Sequence, residues 1–217
     1  MDGIFGWLGD HGAHQDLIRH MGGAACLSPE GALHEHSSQM LGVAACSRFD
    51  KAGIHVENGL AAALYGRPRF LDDELAFIAR DQNPAVAVAH GWVRHGEKLP
   101  TLMHGNFAFA VLEPIKKKAF LALDRIGAER LCYASHGGRL VFGSSAQSVA
   151  AHPAVGRTIA PQAIYDYLYF HTIPAPRSLY QGVHKLLPGQ CLTLKNGRIG
   201  TGFYWQADYT PVDADFD

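Results

Sequence analysis

The 217-residue sequence predicts a layered α+β domain built from antiparallel strands. Short apolar runs recur along the chain, separated by turn-forming residues, as in a strand meander. Asn-Gly pairs at 58–59 and 196–197 lie between such runs and are the strongest short-range signal for a tight hairpin turn. Helical patterns occur in groups between the strands rather than after every strand, which favours an α+β arrangement.

The predicted strands are short and bounded by residues typical of turns. The first two, at 3–8 and 41–49, are mainly apolar, which is compatible with strands buried on both faces. Gly137 and Gly138 indicate a further hairpin. The full set of predicted strands is 3–8, 41–49, 54–56, 60–64, 108–112, 119–123, 130–134, 140–142, 191–195 and 198–204.

Three segments predict helices. Residues 72–74 are all acidic and open the first helix at the end where the helix dipole favours negative charge. A second helix is expected over 85–93, after Pro84. The third, over 162–170, has Pro161 at its first turn, where proline is well tolerated.

Composition excludes several classes of partner. A net charge of -1 provides no overall field for nucleic acid or an anionic membrane, and Lys116–Lys118 fits a solvated turn. The N-terminus lacks a basic segment followed by a long apolar stretch, and no window approaches a membrane span. We therefore expect a cytoplasmic protein that binds neither nucleic acid nor membrane.

The cysteines agree with that compartment. They lie far apart among small or apolar neighbours, without a Cys-x-x-Cys pair, and we expect reduced, buried thiols. The four are Cys26, Cys46, Cys132 and Cys191.

Motifs in the second half resemble those of one enzyme family. Residues 105–110 read Gly-Asn-Phe-Ala-Phe-Ala, 123–127 read Leu-Asp-Arg-Ile-Gly, and 142–145 read Phe-Gly-Ser-Ser. The stretches 173–189 and 204–205 follow in the same order and spacing as in that family. Together these motifs resemble the N-terminal class II glutamine amidotransferase domain of asparagine synthetases and related amide-forming enzymes.

The resemblance implies a fold more specific than the pattern alone. It implies the N-terminal nucleophile (Ntn) hydrolase sandwich, a four-layer αββα arrangement of two antiparallel sheets. It also implies an amidotransferase-like domain over 1–206. Residues 207–217 are then a polar tail, or the start of a linker to a synthetase domain.

Position 2 departs from the family pattern. Family members begin Met-Cys-Gly-Ile-x-Gly, and their cysteine attacks glutamine with its own α-amine as base. Asp2 occupies the nucleophile position here, followed by Gly3. A carboxylate attacking an amide must form a mixed anhydride and expel a poor leaving group. Because methionine is normally retained before aspartate, the free amine would belong to Met1. The resemblance therefore predicts no catalytic residue in this chain.

The substrate pocket also departs from the family. Ala45 stands where the family has an arginine that binds glutamine, and Tyr65, Gly66 and Arg67 replace Asn-Gly-Glu. Removing one oxyanion-hole donor costs roughly 100- to 1,000-fold in rate. The aspartate that holds the substrate amine falls near Pro84. We expect a vestigial pocket that requires no cofactor and no metal.

Other site chemistries have weaker support. Cys26 or Cys46 could in principle pair with a histidine as a new nucleophile. Two histidine pairs lack the ligand set that zinc requires. Arg67 with Arg69 could bind a different anion. The histidine pairs are His11 with His14 and His34 with His36, with Asp10 or Glu35 as additional weak ligands.

The sequence thus predicts a degenerate amidotransferase-like module whose partner is an ATP-dependent synthetase domain or subunit, in cis or in trans. The β-lactam synthetase type of enzyme, which lacks the nucleophile, is the nearest analogy. Two alternatives stay open. One is glutamine hydrolysis through a rearranged site, and the other is small-ligand binding in the remodelled pocket. A homo-oligomer is also compatible with the sequence.

Overall fold

The structure, a computed structural model, describes residues 2–9, 15–25, 32–48 and 52–209. Within these residues the strands are β1 (Gly3–Leu8), β2 (Ala32–Ser37), β3 (Leu41–Ser47), β4 (Ala52–Glu57), β5 (Leu60–Phe70), β6 (Met103–Glu113), β7 (Lys118–Leu123), β8 (Cys132–His136), β9 (Arg139–Gly143), β10 (His184–Lys185), β11 (Gln190–Lys195) and β12 (Arg198–Phe203). The α-helices are α1 (Gln15–Ala25), α2 (Asp73–Asp81), α3 (Pro84–His95), α4 (Ala146–Ala150) and α5 (Pro161–Phe170), and a 3-10 helix spans Gly96–Leu102.

The strands form two six-stranded sheets. The first has the order β10-β8-β9-β1-β3-β2, so that β1 lies inside the sheet between β9 and β3. The second has the order β12-β11-β7-β6-β5-β4. All strand pairs described in both sheets are antiparallel.

The two sheets pack face to face, with helices on their outer faces. Buried residues from both sheets, among them Ile4 of β1 and Leu121 of β7, form the core between them. Helices α2 and α3 cover the second sheet, where Trp92 packs with Phe120. Helices α1 and α4 cover the first sheet, where Met21 packs in the cluster of Phe5 and Trp7. This is the four-layer αββα sandwich that the resemblance implied.

Local signals account for the hairpins and helix starts. Asn58 and Gly59 have φ of 50° and 77°, the paired positive φ angles of a type I′ turn. At the start of α2, Asp72 accepts a hydrogen bond from the Leu75 N–H at 3.1 Å. At α3, Asn83 accepts one from the Ala85 N–H at 2.8 Å. These side-chain caps satisfy N–H groups that the helices leave unpaired.

Some elements differ from the sequence predictions. Strand β8 begins at Cys132 instead of residue 130, because the preceding residues belong to a loop tied to buried Asp124. Strand β3 ends at Ser47 within the described residues, and position 49 lies outside them. The sequence did not predict α1, β2, α4, β10 or the 3-10 helix.

Candidate functional site

Asp2 lies at the head of β1, at the edge of the space between the two sheets. Its Oδ2 accepts a hydrogen bond at 3.3 Å from the backbone N–H of Arg48, which directly follows β3. Because Asp2 is two residues before Ile4 on the same strand face, its side chain lies on the side of the inter-sheet core. The position where the family nucleophile is expected therefore carries a partly exposed carboxylate.

The backbone of Gly3 is held in place from the side of β9. Ser144 donates its N–H to the Ile4 carbonyl at 2.8 Å, and its Oγ accepts the Ile4 N–H at 3.0 Å. A Cβ atom at Gly3 would lie only 2.4 Å from the Ser144 Cβ. Only glycine fits at this point, so the start of β1 is fixed in position relative to the rest of the site.

Tyr65 lies next to this strand end, on the face of β5 that packs against the inter-sheet core. Burial raises the pKa of its phenol, and the negative charges of Glu129 and then Asp2 raise the pKa further. A carboxylate can shift a phenol in this way only from close by. Tyr65 thus lies within electrostatic reach of two carboxylates, in the region that the sequence assigned to the substrate pocket.

Glu129 is a site residue that the sequence analysis missed. Its Oε1 accepts a hydrogen bond from the Asn106 Nδ2 at 2.6 Å. Its backbone N–H donates to the Oδ2 of Asp124 at 2.9 Å, and the Oδ1 of Asp124 accepts N–H groups from Ile126 and Ala128. Asp124 is fully buried and shapes the loop that brings Glu129 to Tyr65. The Leu-Asp-Arg-Ile-Gly motif marked this loop, but no local pattern marked Glu129.

Gly66 and Arg67 follow Tyr65 on β5. Gly66 has φ of +116°, and a Cβ atom there would lie 2.4 Å from the Asn106 carbonyl oxygen, so this position also requires glycine. Arg67 pairs with Asn106 across the two strands and is exposed, as is Arg69 two residues later on the same strand face. The two guanidiniums therefore lie at the rim of the site.

Ala45 lies in the core between the two sheets, whereas Pro84 lies on the outer side of the second sheet. Ala45 lies opposite Ile4 on the neighbouring strand and is fully buried in the inter-sheet core, where a methyl group offers neither charge nor hydrogen bond. Pro84 is the first residue of α3, and the side chain of the preceding Asn83 packs over Gly53. Helix α3 covers the outer face of the second sheet, so Pro84 lies across that sheet from Tyr65.

A cavity of about 550 Å³ adjoins the site. Glu129 and Ser144 line it from the side of the site, and Thr172, Ile173 and Ala175 line it from the loop after α5. Thr172 and Ala175 are exposed, so the cavity reaches the protein surface at this loop.

Sequence comparison identifies the family. The sequence model of the glutamine amidotransferase domain family matches residues 73–205. The chain belongs to this family. It is similar to glutamine-hydrolyzing asparagine synthetase 3 of Bacillus subtilis (strain 168), with 23% identity over 129 residues, 59% of this chain and 21% of the relative. With asparagine synthetase 1 of the same organism the identity is 27% over 123 residues, 56% of this chain and 19% of the relative. The chain thus spans about a fifth of the length of these curated relatives.

Solved amidotransferase structures share the fold. The allosteric regulatory enzyme of purine biosynthesis aligns with a TM-score of 0.59 and 14% identity, covering 94% of this chain and 49% of that one. The glutamine phosphoribosylpyrophosphate amidotransferase from B. subtilis, complexed with ADP and GMP, aligns with a TM-score of 0.50 and 14% identity, covering 94% and 50%. The sandwich is therefore the Ntn-hydrolase fold of class II amidotransferases.

The matched stretch of the glutamine amidotransferase family begins after most of the site. Residues 73–205 include Pro84 and Glu129 but exclude Asp2, Ala45 and Tyr65. The structural likeness nevertheless covers 94% of the chain. The N-terminal strands therefore keep the family fold in a region that the family model does not match.

The cysteines correct one prediction. Cys46 is disulfide-bonded, so the expectation of four reduced thiols is wrong at this position. Sequence spacing cannot show which distant side chains meet in the fold. Cys132 is a free, buried thiol, as predicted, whereas Cys191 is free but only partly buried, and Cys26 lies outside the described residues.

The free thiols are poorly suited to nucleophilic attack. Burial raises the pKa of Cys132 to about 11, although Lys185 and Arg130 act in the opposite direction. Burial also raises the pKa of Cys191, as does the charge of Glu97. Because the thiolate is the nucleophile, both cysteines are predominantly in the unreactive thiol form near neutral pH.

The histidine pairs do not form a metal site in the described part of the chain. Among the described residues, no three His, Cys, Asp or Glu side chains come together as a metal-binding group. Glu35 lies 3.8 Å from Arg19, whereas His11, His14 and Asp10 fall outside the described residues.

The helices are short. In the part of the chain that is described, none of them combines the length and apolar character needed to cross a bilayer.

Proposed function

We propose that this chain is a catalytically degenerate glutamine amidotransferase-like domain that serves an ATP-dependent, amide-forming synthetase as a structural or interaction module. The synthetase is a further domain of the same polypeptide or a separate subunit. The observation that carries the proposal is the carboxylate of Asp2 at the head of β1, where the family resemblance places a cysteine nucleophile.

The surroundings of Asp2 support the loss of glutamine hydrolysis. Asp2 and Glu129 both bring negative charge toward Tyr65. A substrate α-carboxylate would be repelled here, and buried Ala45 offers no guanidinium to hold it. Asn106, which donates to Glu129, is already engaged and does not replace the missing asparagine of the oxyanion hole. The site therefore lacks the nucleophile and the main groups that would bind glutamine.

The relatives support the synthetase partner. Both B. subtilis proteins are asparagine synthetases, and this chain corresponds to only 21% and 19% of their lengths. A domain that supplies no ammonia still suits such an enzyme if the amine comes from the substrate itself or from free ammonia. A cytoplasmic location is part of this proposal, since ATP-dependent synthesis requires a supply of ATP.

The decisive experiment is a glutaminase assay of the purified protein. We expect glutamate release no higher than that of a heat-denatured control, at protein concentrations sensitive to about one turnover per hour, because loss of nucleophile and oxyanion donors acts on the same step. Release above the control would overturn the proposal and favour glutamine hydrolysis through a rearranged site.

A second candidate function is small-ligand binding by the remodelled pocket, which the negative charges of Asp2 and Glu129 near Tyr65 favour. Next to these carboxylates, such a pocket would bind an amine or another cationic group of the ligand, whereas Arg67 and Arg69 at the rim would suit an anionic group. A thermal-shift screen distinguishes this function, because a ligand that binds only the folded state raises the melting temperature. A shift with amines that disappears in Glu129→Gln would support it, and the absence of any shift would leave the interaction module.

A further inference from the structure

Helix α5 carries an unusually exposed apolar face. Of its ten residues only Ala163 and Asp166 are buried. Six large apolar or aromatic side chains are half or more exposed, and we name them together the α5 face: Ile164 50%, Tyr165 61%, Tyr167 58%, Leu168 72%, Tyr169 68% and Phe170 52%. A surface helix normally turns such residues toward the core.

The helix contacts the rest of the protein on its other side, through Arg177 and Leu179. Buried Asp166 accepts hydrogen bonds from Gln162 at 2.9 Å and from Arg177 at 2.7 Å. At its N-terminal end the Ala160 N–H donates to the Leu179 carbonyl at 2.9 Å. The exposed side chains are therefore presented by an anchored helix rather than by a frayed segment.

The α5 face is broad. At 100° per residue, Ile164, Leu168, Tyr165 and Tyr169 follow one another around the helix, and with Tyr167 they span an arc of about 200°. Phe170, the last residue of the helix, widens this arc to about 260°. The rings of Tyr165 and Tyr169 stack with centroids 6.2 Å apart and planes 7° from parallel, which gives this arc a flat aromatic section. A contact between two helices covers a narrower stripe, so this arc suits a concave groove.

The area of the α5 face is that of a protein interface. Since a buried aromatic side chain covers 150–250 Å², the six side chains expose on the order of 800 Å². This exceeds the roughly 300–600 Å² of the largest apolar patch on a typical monomer. It matches the contribution of about 800 Å² that one partner makes to a standard interface. The α5 face bears no formal charge, so its partner surface should be apolar as well.

The α5 face adjoins the cavity that leads to the site. The loop that follows Phe170 supplies Thr172, Ile173 and Ala175 to the outer wall of the cavity, and Glu129 lines its inner side. A protein seated on α5 would therefore also cover the surface opening of the cavity. This adjacency connects the α5 face with the former catalytic site.

We propose that the α5 face docks the ATP-dependent synthetase module, which receives α5 in an apolar groove. This inference rests on the proposed function and adds the surface through which it acts. The curated relatives place about four fifths of their length outside the region that this chain matches, so a partner large enough to form a groove is available in them. A second copy of this chain is less suited, because a pair of α5 helices would leave much of the arc exposed.

The test compares this chain alone with the same chain in the presence of its synthetase. The probe is the synthetase polypeptide encoded in the same reading frame or beside it, purified together with this chain. Hydroxyl-radical footprinting should show Tyr165, Leu168 and Tyr169 labelled at least about fivefold more slowly in the complex, since interface cores exclude water. Val93 and Ile115, 80% and 86% exposed elsewhere, should be labelled equally in both.

A pair of matched variants tests how much the α5 face contributes to the affinity of the complex. Leu168→Glu should weaken the complex at least about tenfold, as expected for a central interface residue, whereas Val93→Glu should change it less than about twofold. Both side chains are largely exposed, so unchanged melting temperatures would show that folding is intact.

The outcomes separate the two proposals. An intact complex with unprotected α5 would overturn the docking surface and leave the proposed function standing. Concentration-dependent protection of α5 in the chain alone would assign it to a second copy and overturn this inference. If the chain and the synthetase form no complex at all, the proposed function itself fails.

Discussion

The region up to Arg67 and the region from Asp73 onward differ in what they retain from the glutamine amidotransferase family. The family model matches only the second region, yet the structural likeness covers 94% of the chain. In the second region a motif carboxylate, Asp124, still shapes the fold. In the first region the strands persist, while Asp2 and Ala45 stand where the resemblance places a cysteine and an arginine. Strand pairing needs an apolar pattern, whereas catalysis needs particular functional groups, so one can persist without the other.

The comparison between Asp124 and Asp2 should give the largest effect. Asp124→Ala removes the acceptor of three backbone N–H groups in a fully buried position. We expect the free energy of unfolding to fall by about 3–5 kcal/mol, because buried donors would lose a charged acceptor. Asp2→Ala removes one partly exposed hydrogen bond, from the Arg48 N–H, and should lower the free energy of unfolding by less than about 0.5 kcal/mol. Urea unfolding measures both, and equal losses would contradict this contrast.

A second prediction concerns acid stability in the second region. Hydrogen bonds from Gln162 and Arg177 hold the pKa of buried Asp166 below its usual range. A carboxylate with a lowered folded-state pKa stabilises the protein above its unfolded-state pKa, and this contribution is lost as pH falls through the folded-state value. Arg177→Met raises that pKa, so acid unfolding should begin at higher pH. Circular dichroism against pH measures the midpoint, and Arg157→Met, also exposed, is the control.

Local signals explain why much of the fold was predictable. The Asn58-Gly59 turn and the Asp72 cap are each encoded within a few residues. Helix α1 was not predictable, because Gly22 and Gly23 are poor helix formers and its stability comes from packing against the first sheet. Strand β2 is an exposed edge strand whose pattern gives no clear burial signal.

The sequence could predict which positions belong to the site, but not how their side chains come together. Asp2, Tyr65 and Glu129 are far apart in sequence, and their proximity depends on the packing of the two sheets. The resemblance identified the first two, but Glu129 lies two residues after the 123–127 motif, in a loop that the buried side chain of Asp124 holds in place. The location of Pro84 across the second sheet likewise depends on which face α3 covers.

A third, smaller effect should appear at alkaline pH. Burial, Glu129 and Asp2 raise the pKa of Tyr65 in the folded state. A raised pKa contributes stability that is present below the unfolded-state value and is lost as pH rises through the folded-state value. Tyr65→Phe should therefore reduce the loss of stability above about pH 10, the ordinary pKa of tyrosine. Thermal melts between neutral and alkaline pH measure this, with Tyr209→Phe as an exposed control.

The smallest expected effect is the most informative about the first region. Asp2→Cys places a cysteine where the resemblance puts the nucleophile, and its small side chain should allow removal of Met1, which mass spectrometry checks. We expect glutamate release to stay at background, because buried Ala45 offers no group to bind the substrate and Tyr65 stands where the resemblance places the oxyanion-hole asparagine.

Alkylation of this variant keeps a negative result interpretable. The thiol introduced by Asp2→Cys should react with iodoacetamide faster than buried Cys132, whose pKa is about 11. A reactive but catalytically silent thiol would show that the first region lost its substrate-binding groups as well as its nucleophile. Glutamine turnover by Asp2→Cys would instead show that the residue at position 2 alone prevents catalysis. The region around Tyr65 would then still accept glutamine.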